Sequence, residues 1–419
     1  MFFSIFFIIT IVIEGNTASN ILIVGVVDSP SHQIWYEVLI AGLIQNRHNI
    51  TLISYADAKL KSDNYTVIKI TGINELFSNQ FNDYINHDSN YFHDIRRLWN
   101  SIIKIAEHDL QSNALKTILD YPKDSFDLII FDMMMGHNFY PLVRYFGNPP
   151  IIGISPLGLS PNILDAMGTH TYSYYPMYYL KYTDQMTFLQ RVENWLMLTL
   201  DNCFKWYYLR ELHELAKNRF GQDIIPVEDV EKQFKILLAN YDHILDYPLS
   251  LPPNIIPVGG LHTKRSTTLP DDLLKILDNS KLGVIYFSFG TNLYPPAFPM
   301  ERKKMFLEVF SKLNQIVLWK YEGDDLEDVP KNVIIKKWFS QNDILAHENV
   351  VLFITHGGAL STQETMYHSV PIVGIPFLYD QLNNVAKMEA RNFGRGLRMH
   401  GLTADILFKT IKEVLDNPM

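Results

Sequence analysis

KWFSQNDILAHENVVLFITHGGALSTQETMYHSVPIVGIPFLYDQLNNVA, Lys337 to Ala386, carries the order of patterns that decides the fold. Val351 to Ile354 is a short unbroken apolar run, as expected for a strand buried on both faces. His356 stands at its carboxyl end. Gly357-Gly358 then lets the backbone turn tightly into a helix, and Ile372 to Gly374 is the next strand. Strand, glycine turn, helix, strand is the repeat of a parallel sheet covered by helices. The free N–H groups of the first helical turn make an anion site suited to a pyrophosphate. His356 can donate to a phosphate oxygen there, and Ser361 lies in the same first turn.

The same alternation runs outward in both directions. Val284 to Phe287, Ile316 to Lys320 and Val333 to Lys336 read as strands of the same sheet. In the first half, Asn20 to Val27 reads as a strand and His32 to Arg47 as an amphipathic helix. Ile50 to Ser54, Tyr65 to Ile70, Asp127 to Phe131 and Ile151 to Ile154 are further strands. Residues 170–245, with tyrosines at 172, 174, 175, 178, 179 and 182, read as a mostly helical, aromatic insertion. Pro248 to Pro270 concentrates Pro, Gly and Thr without periodicity and reads as a linker. The chain is therefore α/β, with an N-terminal Rossmann-like domain over 20–247, a linker over 248–270 and a second Rossmann-like domain over 271–419. Ligands of such open parallel sheets bind outside the carboxyl ends of the strands, so two facing domains hold a ligand in the cleft between them.

Bulk properties narrow the class. At 419 residues the chain exceeds one ordinary domain, and 47% hydrophobic with 19% charged residues supplies large cores. A net charge of −9 without a sustained basic run argues against a nucleic-acid partner. The lysines within Lys331 to Lys337 read as a solvated strand edge. MFFSIFFIITIVI followed by Thr17, Ala18 and Ser19 reads as a signal peptide over 1–19, the alternative being a first buried strand. The sequons Asn49-Ile-Thr51 and Asn64-Tyr-Thr66 are compatible with a secretory route. One cysteine, Cys203, excludes an intrachain disulfide.

Several chemistries are absent from the sequence. The turn GVVDSPSHQ after the first strand lacks G-x-G-x-x-G, which disfavours a nicotinamide cofactor there. No P-loop and no H-E-x-x-H occur, and Gly153-Ile-Ser155-Pro-Leu157 lacks the second glycine of a hydrolase elbow. Without a D-x-D, no metal and no cofactor beyond a co-substrate is expected.

The Lys337 to Ala386 segment resembles the signature of the UDP-glycosyltransferases, the superfamily of UDP-glucuronosyl- and UDP-glucosyltransferases. DQMTFLQRVEN (Asp184 to Asn194) and VGGLH (Val258 to His262) resemble further landmarks, so the likeness covers nearly the whole chain from Ile21 onward. The resemblance implies a GT-B fold of two facing Rossmann-like domains. It implies that Trp338 stacks on uracil, Gln341 contacts the nucleoside and Glu364 accepts from the ribose hydroxyls, where a carboxylate facing a diol makes short charge-assisted bonds. Asp380 and Gln381 would read the sugar, and Gly358 would sit at the pyrophosphate with His356 and Ser361. FSFGTN, Phe287 to Asn292, resembles the loop in which Ser288, Gly290 and Thr291 approach the phosphates. Singly, Trp338 would suit a core, Glu364 a solvated helix face and His356 a satisfied buried histidine. The family spacing over some fifty residues is what joins them. Many relatives carry Asn where this chain has Leu360.

On the acceptor side, the resemblance makes His32 the general base and Asp132, ending FDLIIFD, its partner. A carboxylate on Nδ1 would fix the tautomer and stabilise the imidazolium. The alternative for His32 is a helix N-terminal residue in backbone contact. The implied activity is inverting transfer of a hexose from a UDP-sugar to a hydroxyl of a small lipophilic acceptor, glucose favoured over glucuronic acid because HGGALSTQE resembles the arthropod branch. A nucleotide-binding protein with a dead acceptor site and an epimerase of the same architecture are the alternatives. The resemblance also implies the lumen of the endoplasmic reticulum, homo-oligomers, and a membrane anchor and a helix crossing back onto the first domain, both expected beyond Met419.

Overall fold

The computed structural model describes residues 18–73, 91–169, 173–265 and 269–417. The signal-peptide reading falls almost wholly outside these, as does Tyr172.

Residues 18–265 build a seven-stranded sheet of order β3-β2-β1-β4-β5-β6-β7. Its strands are β1 Asn20–Gly25, β2 Asn49–Ser54, β3 Tyr65–Lys69, β4 Leu128–Asp132, β5 Ile151–Ser155, β6 Ile236–Ala239 and β7 Ile255–Pro257, and every pairing is parallel. The strand residues Ile21, Leu22, Ile23 and Val24 are fully buried because the sheet is covered on both faces. Alternate residues feed two cores: Leu22 and Val24 pack with Phe131 and Leu164, and Ile21 and Ile23 with Trp35 and Tyr36. Each such side chain contributes roughly 1.5–3 kcal/mol of hydrophobic stabilisation.

The second sheet has six strands in the order β10-β9-β8-β11-β12-β13. These are β8 Val284–Ser288, β9 Ile316–Lys320, β10 Val333–Lys336, β11 Val350–Thr355, β12 Ile372–Gly374 and β13 Gly394–Gly396, again parallel throughout. Five helices matter for the site: α1 Pro30–Gln45, α2 Phe188–Phe220, α3 Gln341–Leu345, α4 Ala359–His368 and α5 Gln381–Ala390.

The structure departs from the sequence reading in three places. Within 170–245, α2 is one helix of 33 residues started by a Thr187/Gln190 capping box, but Ile236–Ala239 is a strand, and residues 173–187 are irregular rather than helical. Four residues are too few to show a period, so burial against β5 and β7 decides their conformation. The expected linker is shorter than Pro248 to Pro270, because Ile255–Pro257 closes the edge of the first sheet, where a proline is tolerated. β13, Gly-Arg-Gly, carries no strand-forming residues and is held by pairing with β12. Among the described residues, no helix is long and apolar enough to cross a membrane.

The two halves are tied together by polar contacts of α5. Lys387 Nζ lies 2.7 Å from Asp246 Oδ1, with both side chains largely buried. Arg391 donates to the Asp246 carbonyl at 3.2 Å, and the Asn383 amide donates to Leu180 O at 3.2 Å and Tyr182 O at 2.9 Å. Removing one member of a buried pair strands the other charge, at a cost of roughly 3–5 kcal/mol. Asp246→Ala and Lys387→Met each strand the other charge, so both are expected to lower the thermal midpoint, and the double variant by less than the two single losses added together. A double variant whose loss equals that sum in a melting series would contradict this assignment.

Candidate functional site

Strand order reverses direction between β1 and β4 in the first sheet and between β8 and β11 in the second. Both reversals open at the carboxyl ends of the strands, where parallel sheets bind ligands. The two openings face one cleft of about 630 Å³, lined from both halves.

One wall is assembled from the ends of β8, β9 and β11. Ser288 ends β8, and its Oγ accepts from Gly290 N–H at 3.1 Å. Gly290 has φ +75°, and a Cβ there would lie 2.4 Å from the His356 ring. A Cβ on Gly358 would lie 2.7 Å from the same ring. His356 is thus packed between two backbone segments that only glycine lets approach so closely. Burial lowers its pKa to about 4, so the ring is neutral and can donate one N–H. Gly358 caps α4, whose first-turn amides open on the cleft beside Ser361. Thr291 lines the same wall. Lys320, at the end of β9, donates to Gly290 O at 2.8 Å and is ion-paired with Glu322.

The next group lies on α3, α4 and α5. Gln341 Nε2 donates to Ser361 Oγ at 2.9 Å and to Glu364 Oε2 at 2.5 Å. Burial raises the Glu364 carboxyl to about 7 against the opposing Gln341 bond. His262 Nε2 donates to Leu360 O at 3.1 Å and lies 3.9 Å from Glu364. Leu360 thus serves here through its carbonyl. Trp338 is 57% exposed at the cleft, 5.6 Å from Lys320 Nζ. Asp380, raised to about 6 by burial, accepts from Asn384 at 2.6 Å. Gln381 Oε1 accepts from Phe377 and Leu378 N–H groups at 2.9 and 3.2 Å, holding the turn that presents Asp380.

Across the cleft, His32 lies in the first turn of α1, on a lining that also includes Ile34, Leu98, Met134 and Tyr179. It is 6% exposed, neither ring nitrogen has a hydrogen-bond partner, and burial lowers its pKa to about 4. The expected His32–Asp132 hydrogen bond is not formed. Asp132 lies behind the cleft wall, fully buried, and its oxygens accept from Tyr36 Oη at 2.6 Å and Met134 N–H at 2.8 Å. Tyr36 follows His32 by one helical turn and reaches the carboxylate first. The backbone contact considered for His32 is likewise absent from its ring.

All eleven residues expected on the donor side line this single cleft together with His32, and Asp132 alone does not. Lys320, His262 and Tyr36 were not singled out from the sequence. Lys320 was legible as the polar end of an apolar strand, and His262 as the end of VGGLH. Tyr36 carries no sequence signal. Among the described residues no group of three His, Cys, Asp or Glu side chains is arranged to hold a metal.

Two parallel sheets facing across a cleft, with a glycine turn into a helix on one side, make up the GT-B architecture. Residues 32–419 match the family described as UDP-glucoronosyl and UDP-glucosyl transferase, and the chain belongs to this family of UDP-glycosyltransferases. UDP-glycosyltransferase UGT5 of Dactylopius coccus is 30% identical, over 100% of this chain and 80% of the relative. The ecdysteroid UDP-glucosyltransferase of Mamestra brassicae nuclear polyhedrosis virus is 26% identical over 98% and 81%. Among solved structures, the calicheamicin glycosyltransferase CalG4 superposes with a TM-score of 0.61 at 15% identity, covering 96% of this chain and 90% of its own. Spinosyn forosaminyltransferase SpnP gives 0.62 at 16%, covering 96% and 92%. These two share the fold.

The packing around His356 generates a sharp expectation. Gly290→Ala forces a left-handed backbone on alanine, at about 1–2 kcal/mol, and drives a methyl into the ring. UDP affinity measured by calorimetry is expected to fall at least roughly tenfold, the equivalent of about 1.4 kcal/mol. Unchanged affinity would mean that His356 can move without consequence for the donor.

Proposed function

We propose that the enzyme transfers a hexose, glucose in preference to glucuronic acid, from a UDP-sugar to a hydroxyl of a small lipophilic acceptor, with inversion and without a metal. The carrying observation is His32: a neutral ring with two unpartnered nitrogens, on the opposite side of one cleft from the anion site of α4. Both nitrogens are buried without a partner, and an acceptor hydroxyl bound against this wall would supply the hydrogen bond that one of them lacks. In the proposed step His32 takes the hydroxyl proton, the oxygen bonds to the anomeric carbon, and the bond from that carbon to the UDP oxygen breaks on the opposite face. Charge appearing on the leaving phosphate is met by the first-turn amides after Gly358 and by His356. Ile34, Val38, Leu98, Ile105 and Met135 give the acceptor side an apolar surface, which favours a lipophilic acceptor. Relatives named as glucosyltransferases support glucose.

His32→Ala is expected to lower turnover by roughly 10²–10⁴-fold, the range of a lost general base, while UDP affinity stays at the parent value. Assay with UDP-glucose and a panel of phenols decides the matter. Near-parent turnover, or a collapse of UDP affinity, would refute the assignment.

Glu364 gives a pH signature. Its carboxyl, raised to about 7 by burial, is mostly neutral at pH 6 and mostly ionised at pH 8. If the carboxylate accepts from the ribose hydroxyls, UDP affinity rises as pH rises through 7, and binding releases a proton. Calorimetry in buffers of different ionisation enthalpy measures that release, and Glu364→Gln serves to abolish this component. An identical pH dependence in parent and variant would remove Glu364 from the ribose site.

A further inference from the structure

His32 and Tyr36 occupy one face of α1, a turn apart. Their rings meet edge-on with centroids 6.2 Å apart and planes at 65°. His32 belongs to the cleft wall, whereas Tyr36 is 1% exposed and turns inward, where its hydroxyl donates to Asp132 Oδ2 at 2.6 Å. The other oxygen of Asp132 takes Met134 N–H at 2.8 Å. Space for the tyrosine ring exists because Gly25 ends β1: a Cβ there would lie 2.7 Å from Tyr36 Cε2. Parallel pairing of β1 with β4 brings this end of β1 beside the Asp132 end of β4. The sheet thus builds a pocket for a tyrosine whose single polar atom is spent on one buried carboxylate.

We propose that Tyr36 is the positioning residue of the proton-transfer step, holding the Asp132 carboxylate ionised and fixed so that its charge, rather than a direct hydrogen bond, stabilises the imidazolium that forms on His32. The proposal rests on His32 being the base. During the step the acceptor proton passes to a His32 nitrogen, the acceptor oxygen bonds the anomeric carbon and UDP departs. Tyr36 keeps its proton and Asp132 stays ionised throughout. The groups facing Asp132 are Tyr36 from α1, the Met134 and Met135 N–H groups of its own loop, and the His137 and Tyr140 side chains that follow. Burial raises the carboxyl to about 6, and the Tyr36 hydroxyl is foremost among the groups that oppose this. Without that hydroxyl the carboxyl is raised further towards its neutral form.

The test is the dependence of kcat/KM on pH, from about 5 to 9.5, for the parent, Tyr36→Phe, Asp132→Asn and His32→Ala, with UDP affinity measured for each. Tyr36→Phe keeps the ring and its packing. Its acidic limb is expected to move up by about one pH unit or more, equivalent to roughly a tenfold loss at the foot of the limb. Activity should return towards the parent near pH 9, where Asp132 is again ionised, with UDP affinity unchanged. Asp132→Asn keeps an acceptor for Tyr36 but removes the charge, and is expected to lose activity without recovery at high pH. A merely structural Tyr36 would instead lower activity equally at every pH, which overturns the proposal. So does an unmoved limb, or a limb that moves down, the result expected if Tyr36 withholds the carboxylate from His32. Should Tyr36→Phe fail to fold, a parent-like profile for Asp132→Asn overturns the proposal by itself. His32→Ala separates the layers: if it remains active, the base assignment fails. If it is inactive while Tyr36→Phe is parent-like, only the role of Tyr36 fails.

Discussion

Parallel strands cannot be joined by tight turns. Each must be followed by a crossover that returns along a face of the sheet. In this chain that constraint sends every strand of a sheet in one direction and delivers all the carboxyl ends to one edge. The cleft follows from it. His32 after β1, Ser288 and Gly290 after β8, Lys320 at the end of β9 and His356 after β11 meet because their strands end there. The ion pair of Asp246 with Lys387 and the amide of Asn383 then keep the two edges facing each other.

What the sequence made legible divides along physical lines. Short unbroken apolar runs such as Ile21 to Val24 and Val351 to Ile354, bounded by turn residues and rich in β-branched side chains, announce strands buried on both faces. Ile236–Ala239 and Gly394–Gly396 announce nothing, since their conformation is imposed by the neighbouring strand. Most of the donor wall was legible because Trp338 to Gln381 lie in one contiguous segment, Ser288, Gly290 and Thr291 being read from the separate loop FSFGTN. Its internal wiring was not: the Gln341–Glu364 bond and the approach of His262 to Leu360 are tertiary contacts. The pairing of His32 with Asp132 was the least secure inference, being separated by a hundred residues, and Tyr36 intervenes.

Desolvation dominates the electrostatics of the cleft. His32, His262 and His356 are all held neutral by burial, while Glu364, Asp132 and Asp380 are pushed towards their neutral forms by the same cause. Between pH 4 and about 6 these two sets act oppositely on stability. The unfolded chain binds more protons at the histidines, so their contribution rises with pH. The folded chain binds more at the carboxyls, so theirs falls. A site built from both kinds of group can be dry without making the fold steeply pH-sensitive.

The cleft is also a seam between two separately cored halves. One core joins β1 and β4 to α2, another joins β8 and β11 to their own helices, and the seam is crossed by the polar ties of α5 together with a few apolar contacts, Leu245 packing into a core of the second half and Tyr379 against that of the first. Replacements in the Ile34, Leu98 and Met135 wall therefore repack material that the α4 anion site does not share. Over evolutionary time such a chain can diversify what it modifies while leaving untouched the machinery that holds the nucleotide. Gene lineages can then explore new chemistry one half at a time.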